Sequence, residues 1–420
     1  MKLLKFLLRY FPPGIALEYT QGGDVKTKMI DLLDLSAKTD IRGLAESIKA
    51  AEPVITDGVM DQLVETLQKL QAKVCDAGED EKRFYKCKTL KTHLLPITNI
   101  AFDKLGKRCL TGSYDRTCKV WDIESGAELL TLEGHKNVVY AVSFNKPASD
   151  KIVTGSFDKS ARVWCSRTGH CLVSLWGHDA EVVVARFSPT QSKVATGSMD
   201  ATARIFHISS GQELGTLKGH SAEVIALHYS SDGNEIVTGS FDRSVSLWDT
   251  RTYQRTSVLL GHQEEISNCL YNFDESLIAS CSLDKTARIW DRRMTDSCLA
   301  SLTGHEDEVL DLAFDSKGNK LATASSDTTA RVWDLASGEF PQVAKMEAHQ
   351  EEVSKVCFSP SGRQLLTASL DRSARLWSVE SGQCVQTLAG HTDDVFSCAF
   401  SYSGDTIVTA SKDSTCLIWR

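Results

Sequence analysis

Histidine, aspartate and a hydroxyl are the groups with which hydrolases activate a nucleophile, and this chain carries the three together at a fixed spacing. His135, His220, His262 and His305 are each followed 22 or 23 residues later by an aspartate, Asp158, Asp242, Asp284 and Asp327. A hydroxyl such as Thr154, Thr196 or Thr238 lies between, and Trp164, Trp248, Trp290 and Trp333 stand just beyond the acids. An imidazole so placed can bridge the carboxylate and the hydroxyl, with the indole N–H as a further donor. A nucleophile is needed once, however, and this set occurs eight times, the rest being built on His93, His178, His349 and His391. Recurrence makes it a structural device. Two departures are informative: Phe206 replaces the tryptophan in the third set and cannot donate, and the acid after the aromatic is missing at Cys165, His207, Ser378 and Arg420. That acid is therefore dispensable.

The elements that must position these groups are visible in Gly219–Asp249, where three apolar runs separated by turns read as three short strands. The histidines recur 42 to 44 residues apart. This period, with its Gly-His and Trp-Asp landmarks, resembles the WD-repeat family, whose fold is a β-propeller with one four-stranded blade per repeat. The resemblance implies an all-β, eight-bladed WD-repeat β-propeller, and the repeated set resembles that family's structural tetrad. The last repeat stops after its third strand, at Trp419-Arg420, and residues 84–90 match the fourth-strand segments 128–132 and 384–388. Strand 84–90 is thus expected to complete blade eight, so that residues 84–420 close into a ring without exposed ends.

Residues 1–75 lack the repeat and read as a small N-terminal α/β subdomain. Ile15–Tyr19 and Lys28–Leu33 flank Gly22-Gly23-Asp24 as a hairpin; Thr39-Asp40 offers an N-cap for a helix over 41–51, and Thr56-Asp57 caps a second helix in which Val59, Leu63, Leu67 and Leu70 have helical spacing. Residues 76–83 are charged and aperiodic, a linker.

Composition narrows the function. A net charge of −8 argues against a nucleic-acid partner. The thirteen cysteines show no zinc spacing, and five of them (Cys118, Cys269, Cys357, Cys398, Cys416) sit in strand-like runs as small hydrophobes. With no Asn-x-Ser/Thr sequon, a reducing cytosolic setting is expected. Lys5 and Arg9 interrupt the apolar N-terminus too early for a signal peptide, and no stretch suffices to span a membrane. No phosphate-binding loop, dinucleotide fingerprint or metal motif is present, so a non-enzymatic, monomeric scaffold without cofactor or metal is expected.

Two variable positions suggest where partners bind. Three residues past the histidine, six repeats carry an acid: Glu181, Glu223, Glu265, Glu308, Glu352 and Asp394, with Pro96 and Val138 in the first two. Just before the turn aspartate stand Tyr114, Phe157, Met199, Phe241, Leu283 and Leu370, with Ser326 and Lys412 as exceptions. In the family these positions crown the top face near the channel mouth, which implies an acidic arc edged by apolar groups, suited to a basic protein segment. The basic residues four past the turn acid (Lys119, Arg162, Arg204, Arg288, Arg331, Arg375) are expected on solvent-facing strand edges.

The opening LLRYFPPGIALEY, the following IDLLDL, the GSYDRT, GSFDKS and GSFDRS turns and the closing IWR narrow the likeness to WD-repeat dynein assembly factors. That resemblance implies an adaptor linking outer-arm axonemal dynein to a subunit of the intraflagellar transport train (IFT-B), acting in cytoplasm and cilium or flagellum. It also implies a partner cleft between the N-terminal subdomain and the top face. The alternative is a substrate receptor of a cullin-type ubiquitin ligase, because Trp248–Arg251 and Trp290–Arg293 fit a WDxR pattern.

Overall fold

A computed structural model of the chain describes residues 2–10, 13–21, 24–33, 35–36, 39–74, 82–91, 93–295 and 297–420. Gly22, Gly23 and residues 76–81, where the sequence suggests a turn and most of a linker, lie outside the described residues. The chain divides into two compact units, Met1–Lys82 and Arg83–Arg420.

The first unit is a three-stranded antiparallel sheet, β1 (Lys2–Arg9), β2 (Gly14–Gln21) and β3 (Asp24–Asp31), with helices α1 (Ile41–Ala51) and α2 (Met60–Val74). The sequence reading misses β1, because Lys5 and Arg9 look like interruptions. They are cross-strand partners instead: Lys5 sits opposite Glu18 and pairs with it at 2.9 Å, and Arg9 pairs with Asp31. Asp40 caps α1 through its carboxylate, which accepts the Arg42 and Gly43 N–H groups at 3.1 and 3.2 Å. Leu63, Leu67 and Leu70 of α2 are fully buried against Ile15, Leu17 and Ile48, while Val59 falls in a 3-10 turn, Asp57–Val59, that leads in.

In the second unit eight antiparallel sheets of four strands follow one another. Blade 1, for example, runs Ile97–Phe102, Arg108–Ser113, Cys118–Asp122 and Glu128–Leu132 from its inner to its outer strand. Blade 8 takes its outer strand, β4 (Lys86–Leu90), from the start of the unit; Leu90 lies opposite Cys416, and Tyr85 and Arg420 exchange two backbone hydrogen bonds at 2.7 and 3.0 Å. Phe84, 1% exposed, packs edge-on to Phe400 and is bound at both its backbone groups by the Gln386 amide.

The core lies between blades. Trp164 of blade 2 is buried among Leu110, Val120 and Leu132 of blade 1, and Trp248 of blade 4 among Ala203, Ile205 and Leu217 of blade 3. Trp121 of blade 1 packs in the same way on Val408, Cys416 and Ile418 of blade 8. A blade alone would expose half of this surface, so the ring is held by contacts that exist only once neighbours are stacked.

Candidate functional site

Every blade repeats one hydrogen-bonded relay at the turn between its second and third strands. In blade 4 the His220 Nδ1 lies 2.8 Å from Asp242 Oδ2, its Nε2 lies 2.8 Å from the Thr238 hydroxyl, and Trp248 Nε1 donates to that hydroxyl at 2.8 Å. The donors run in one direction. The Trp N–H gives to the hydroxyl oxygen, the hydroxyl gives to Nε2, and Nδ1–H gives to the carboxylate. The other Asp242 oxygen accepts the Ser244 N–H and hydroxyl at 3.0 and 2.6 Å, and Oδ2 also takes the Ser221 N–H at 3.0 Å. The acid is fully occupied. His135, His262 and His305 make the same contacts with Asp158, Asp284 and Asp327, with Ser280 supplying the hydroxyl under Trp290, and Trp164 and Trp333 donate likewise. In blade 3 the Phe206 ring keeps the packing position but donates nothing, leaving Thr196 bound to His178 alone among the relay groups.

Burial opposes ionisation of these aspartates, but hydrogen bonds from the histidine and the Ser/Thr hydroxyl overcome it and hold the carboxyls well below the usual range. Burial also lowers the His262, His349 and His391 pKa despite the facing carboxylate, so these rings stay neutral at pH 7. The relay hydroxyl of Thr238 is fully buried and already bonded to both His220 and Trp248, and the relay ties together the loops between blades.

Those loops display the two variable positions side by side. The backbone N–H of Met199, Phe241, Leu283 and Leu370 donates to the carbonyl of Glu181, Glu223, Glu265 and Glu352 at 2.9–3.0 Å. Tyr114 and Phe157 bond Pro96 and Val138 in the same way, and Ser326 and Lys412 bond Glu308 and Asp394. The two positions are therefore neighbours in each blade, on the relay end of the ring, and in blades 3, 4, 5 and 7 they bring an acid beside an apolar side chain. Glu308 and Glu352 are exposed and Glu181, Glu223, Glu265 and Asp394 half-buried. Asp394 is held by Lys412 at 3.0 Å, whereas the five glutamate side chains have no ion-pair partner among the described residues. The apolar set is strongest at blades 1 and 2, where Leu94 and Tyr114 are 86% and 43% exposed and Tyr140 stacks on Phe157 with ring centroids 5.5 Å apart. Tyr140 escapes the sequence reading because it belongs to an inner strand; an aromatic at that strand's second position, where Thr98, Ser267 and Ser354 stand in other blades, was the available signal.

The basic residues past the turn acid are not on solvent-facing edges. Lys119 and Arg331 are buried and Arg162, Arg204, Arg288 and Arg375 half-buried. The guanidinium groups of Arg162, Arg204, Arg288 and Arg331 lie beneath the glycine of the Gly-His pair, so that a Cβ at Gly134, Gly177, Gly261 or Gly304 would come within 2.5–2.8 Å of a guanidinium nitrogen. Blade 4 has Ser246 at this position, and Arg255 reaches the Gly219 carbonyl from the outer strand instead, at 3.0 Å. Lys119 and Arg204 pair with the outer-strand acids Glu128 and Glu213 at 2.9 and 2.7 Å, and Arg331 donates to the Gly304 carbonyl at 2.5 Å, so these cations are committed within the blade.

A relay in each of eight blades, with a family model described as WD domain, G-beta repeat, matching residues 84–122, 126–165, 169–207, 211–249, 253–291, 296–334, 340–378 and 382–420, decides the assignment. This chain belongs to the WD-repeat family. Each matched WD repeat starts in the outer strand of one blade and ends in the third strand of the next, so repeats and blades are offset by one strand and lock the ring. Among curated proteins the chain is similar to "Dynein assembly factor with WD repeat domains 1" of Xenopus laevis (55% identity over 150 residues), Danio rerio (52% over 152) and Homo sapiens (54% over 153). Each match covers 36% of this chain and 36% of the relative, so it spans about a third of the relatives' length. A crystal structure of the computationally designed Ika8 protein is similar to the WD-repeat unit with a TM-score of 0.71 and 30% identity, over 80% of this chain and 99% of that one. Among the described residues no helix is long and apolar enough to cross a membrane.

Proposed function

We propose that this WD-repeat protein is a non-enzymatic adaptor in dynein assembly, one that links preassembled outer-arm axonemal dynein to an IFT-B subunit of the intraflagellar transport train for import into the cilium or flagellum. The observation that carries this reading is the likeness, at 52–55% identity, to proteins named for dynein assembly. The chemistry of the relay end supports it. Five glutamates without ion-pair partners among the described residues repel one another on one rim, and a basic segment laid across them relieves that repulsion. Tyr114, Tyr140, Phe157 and Phe241 offer ring faces where apolar or cationic side chains of the same segment can anchor. Cargo and carrier must be held together, so dynein takes a second surface.

Affinity purification of the full chain from ciliated cells tests this. Recovery of outer-arm dynein and IFT-B subunits supports the adaptor; recovery of a cullin-ligase adaptor without ciliary components, lost on changing the exposed Arg251 and Arg293, replaces it with the ubiquitin-ligase reading.

A further inference from the structure

The inner strands of all eight blades line a central cavity of about 240 Å³ that opens to solvent. That is space for roughly eight waters, and it is below the size of pockets that hold drug-sized ligands. Much of the polar wall is already committed to itself. The Thr98 and Ser354 hydroxyls donate to the Val139 and Val395 carbonyls of the next blade at 2.6 and 2.8 Å, and Ser267 donates to Val309. Asp311 accepts the Asn268 amide at 2.8 Å and the Val356 N–H at 3.1 Å.

Cations stand out against this wall. Arg186, on the blade 3 inner strand Val182–Phe187, has no hydrogen-bond or ion-pair partner among the described residues, although it lines the cavity. Lys355, on the blade 7 strand Val353–Phe358 and so across the ring from it, has only a long 3.8 Å contact to an Asp311 oxygen that already accepts another bond. His228 of blade 4 occupies the strand position equivalent to Arg186 in the adjoining blade. Three kinds of basic side chain thus face one half-open space whose wall, among the described residues, holds a single, already satisfied acid. The positive field is felt by its members: burial, Arg186 and Lys355 together depress the His228 pKa well below the ordinary histidine value, and burial with Arg186 lowers that of Lys146 in the adjoining loop. His228 also stands outside the repeated relay, which uses eight of the chain's eleven histidines.

We infer that the central cavity is a binding site for a small phosphate-bearing anion, held between Arg186 and His228 on one wall and Lys355 on the opposite one. Each phosphate group presents terminal oxygens in several directions and so can take donors from more than one side, where each carboxylate group offers two oxygens in one plane. A deep ligand of this kind would cross-link opposite sides of the ring, and the site is distinct from the acidic rim and independent of the adaptor reading.

Titration calorimetry of the full chain with inorganic pyrophosphate tests it, with citrate as the carboxylate arm. One saturable site per chain is expected, stronger for pyrophosphate than for citrate. Arg186→Gln and Lys355→Gln should each weaken it by about tenfold or more, as loss of a charge-assisted bond does. Asp311→Asn, which removes the cavity's acid, should tighten binding, a gain that a merely misfolded variant cannot give. Absence of saturable binding, unchanged affinity in a folded Arg186→Gln, or failure of Asp311→Asn to tighten would overturn the site. Equal affinity for citrate would overturn the phosphate assignment.

Discussion

Asp242→Asn isolates what one relay contributes to the ring. The carboxylate accepts four hydrogen bonds, from His220, Ser221 and twice from Ser244, at 2.6–3.0 Å. Asparagine keeps the shape but only one acceptor oxygen, so its NH2 group is turned on two donors. Each bond to a charged group contributes about 1.5–3 kcal/mol. Two are lost, and rotation of the Ser244 hydroxyl to accept from the new amide recovers part of one. The expected cost is about 2–4 kcal/mol, read as a lower urea midpoint by tryptophan fluorescence. Because the groups act in series, adding His220→Asn to Asp242→Asn should cost less than the sum of the two alone. A loss under about 1 kcal/mol, or strict additivity, would refute the view that the relay is a connected unit rather than four separate contacts.

Trp248→Phe recreates the natural state of blade 3 and should destabilise by about 2–3 kcal/mol, one hydrogen bond plus the cavity left by the smaller ring, measured by the same urea titration. Ala201 holds a φ of 64° in the blade 3 turn, so Ala201→Gly should stabilise by about 0.5–1 kcal/mol, seen as a higher midpoint. Stability should also fall on acidification in two stages. His262, His349 and His391 have depressed folded pKa values, so their contribution is present above the unfolded value of 6.5 and is lost as pH falls from there through the lower folded values. The relay aspartates, also depressed, add a second loss below the unfolded value of 3.8, and a midpoint that stays flat from pH 7 to 3 would contradict both assignments.

Much of the ring is legible in the sequence because each blade restates the same constraint. A histidine, an acid, a hydroxyl and an indole must converge at one turn, and eight restatements leave little freedom in strand order or register. The N-terminal unit is written once, and there the reading loses β1: Lys5 and Arg9 carry meaning only opposite Glu18 and Asp31, which pattern along one strand does not reveal. The strand arginines mislead for a related reason. Alternation along a strand assigns them to an outer face, but the Gly-His loop of the same blade folds over that face and closes on them. Tyr140, Arg186, His228 and Lys355 are hidden by the repeat itself. They occupy inner-strand positions that differ from blade to blade, and only ring closure brings residues from blades 2, 3, 4 and 7 to one cavity.

The most direct test of the account is charge reversal on the rim, Glu265→Lys with Glu308→Lys, in the full chain expressed in ciliated cells. Both side chains lack ion-pair partners among the described residues, and their backbones alone hold the neighbouring loops, so the fold should be unaffected. The account predicts loss of most of the transport-train subunits from the purified complex, with thermal stability unchanged. Undiminished recovery of those subunits by the charge-reversed protein would contradict it and remove the acidic rim as the docking surface.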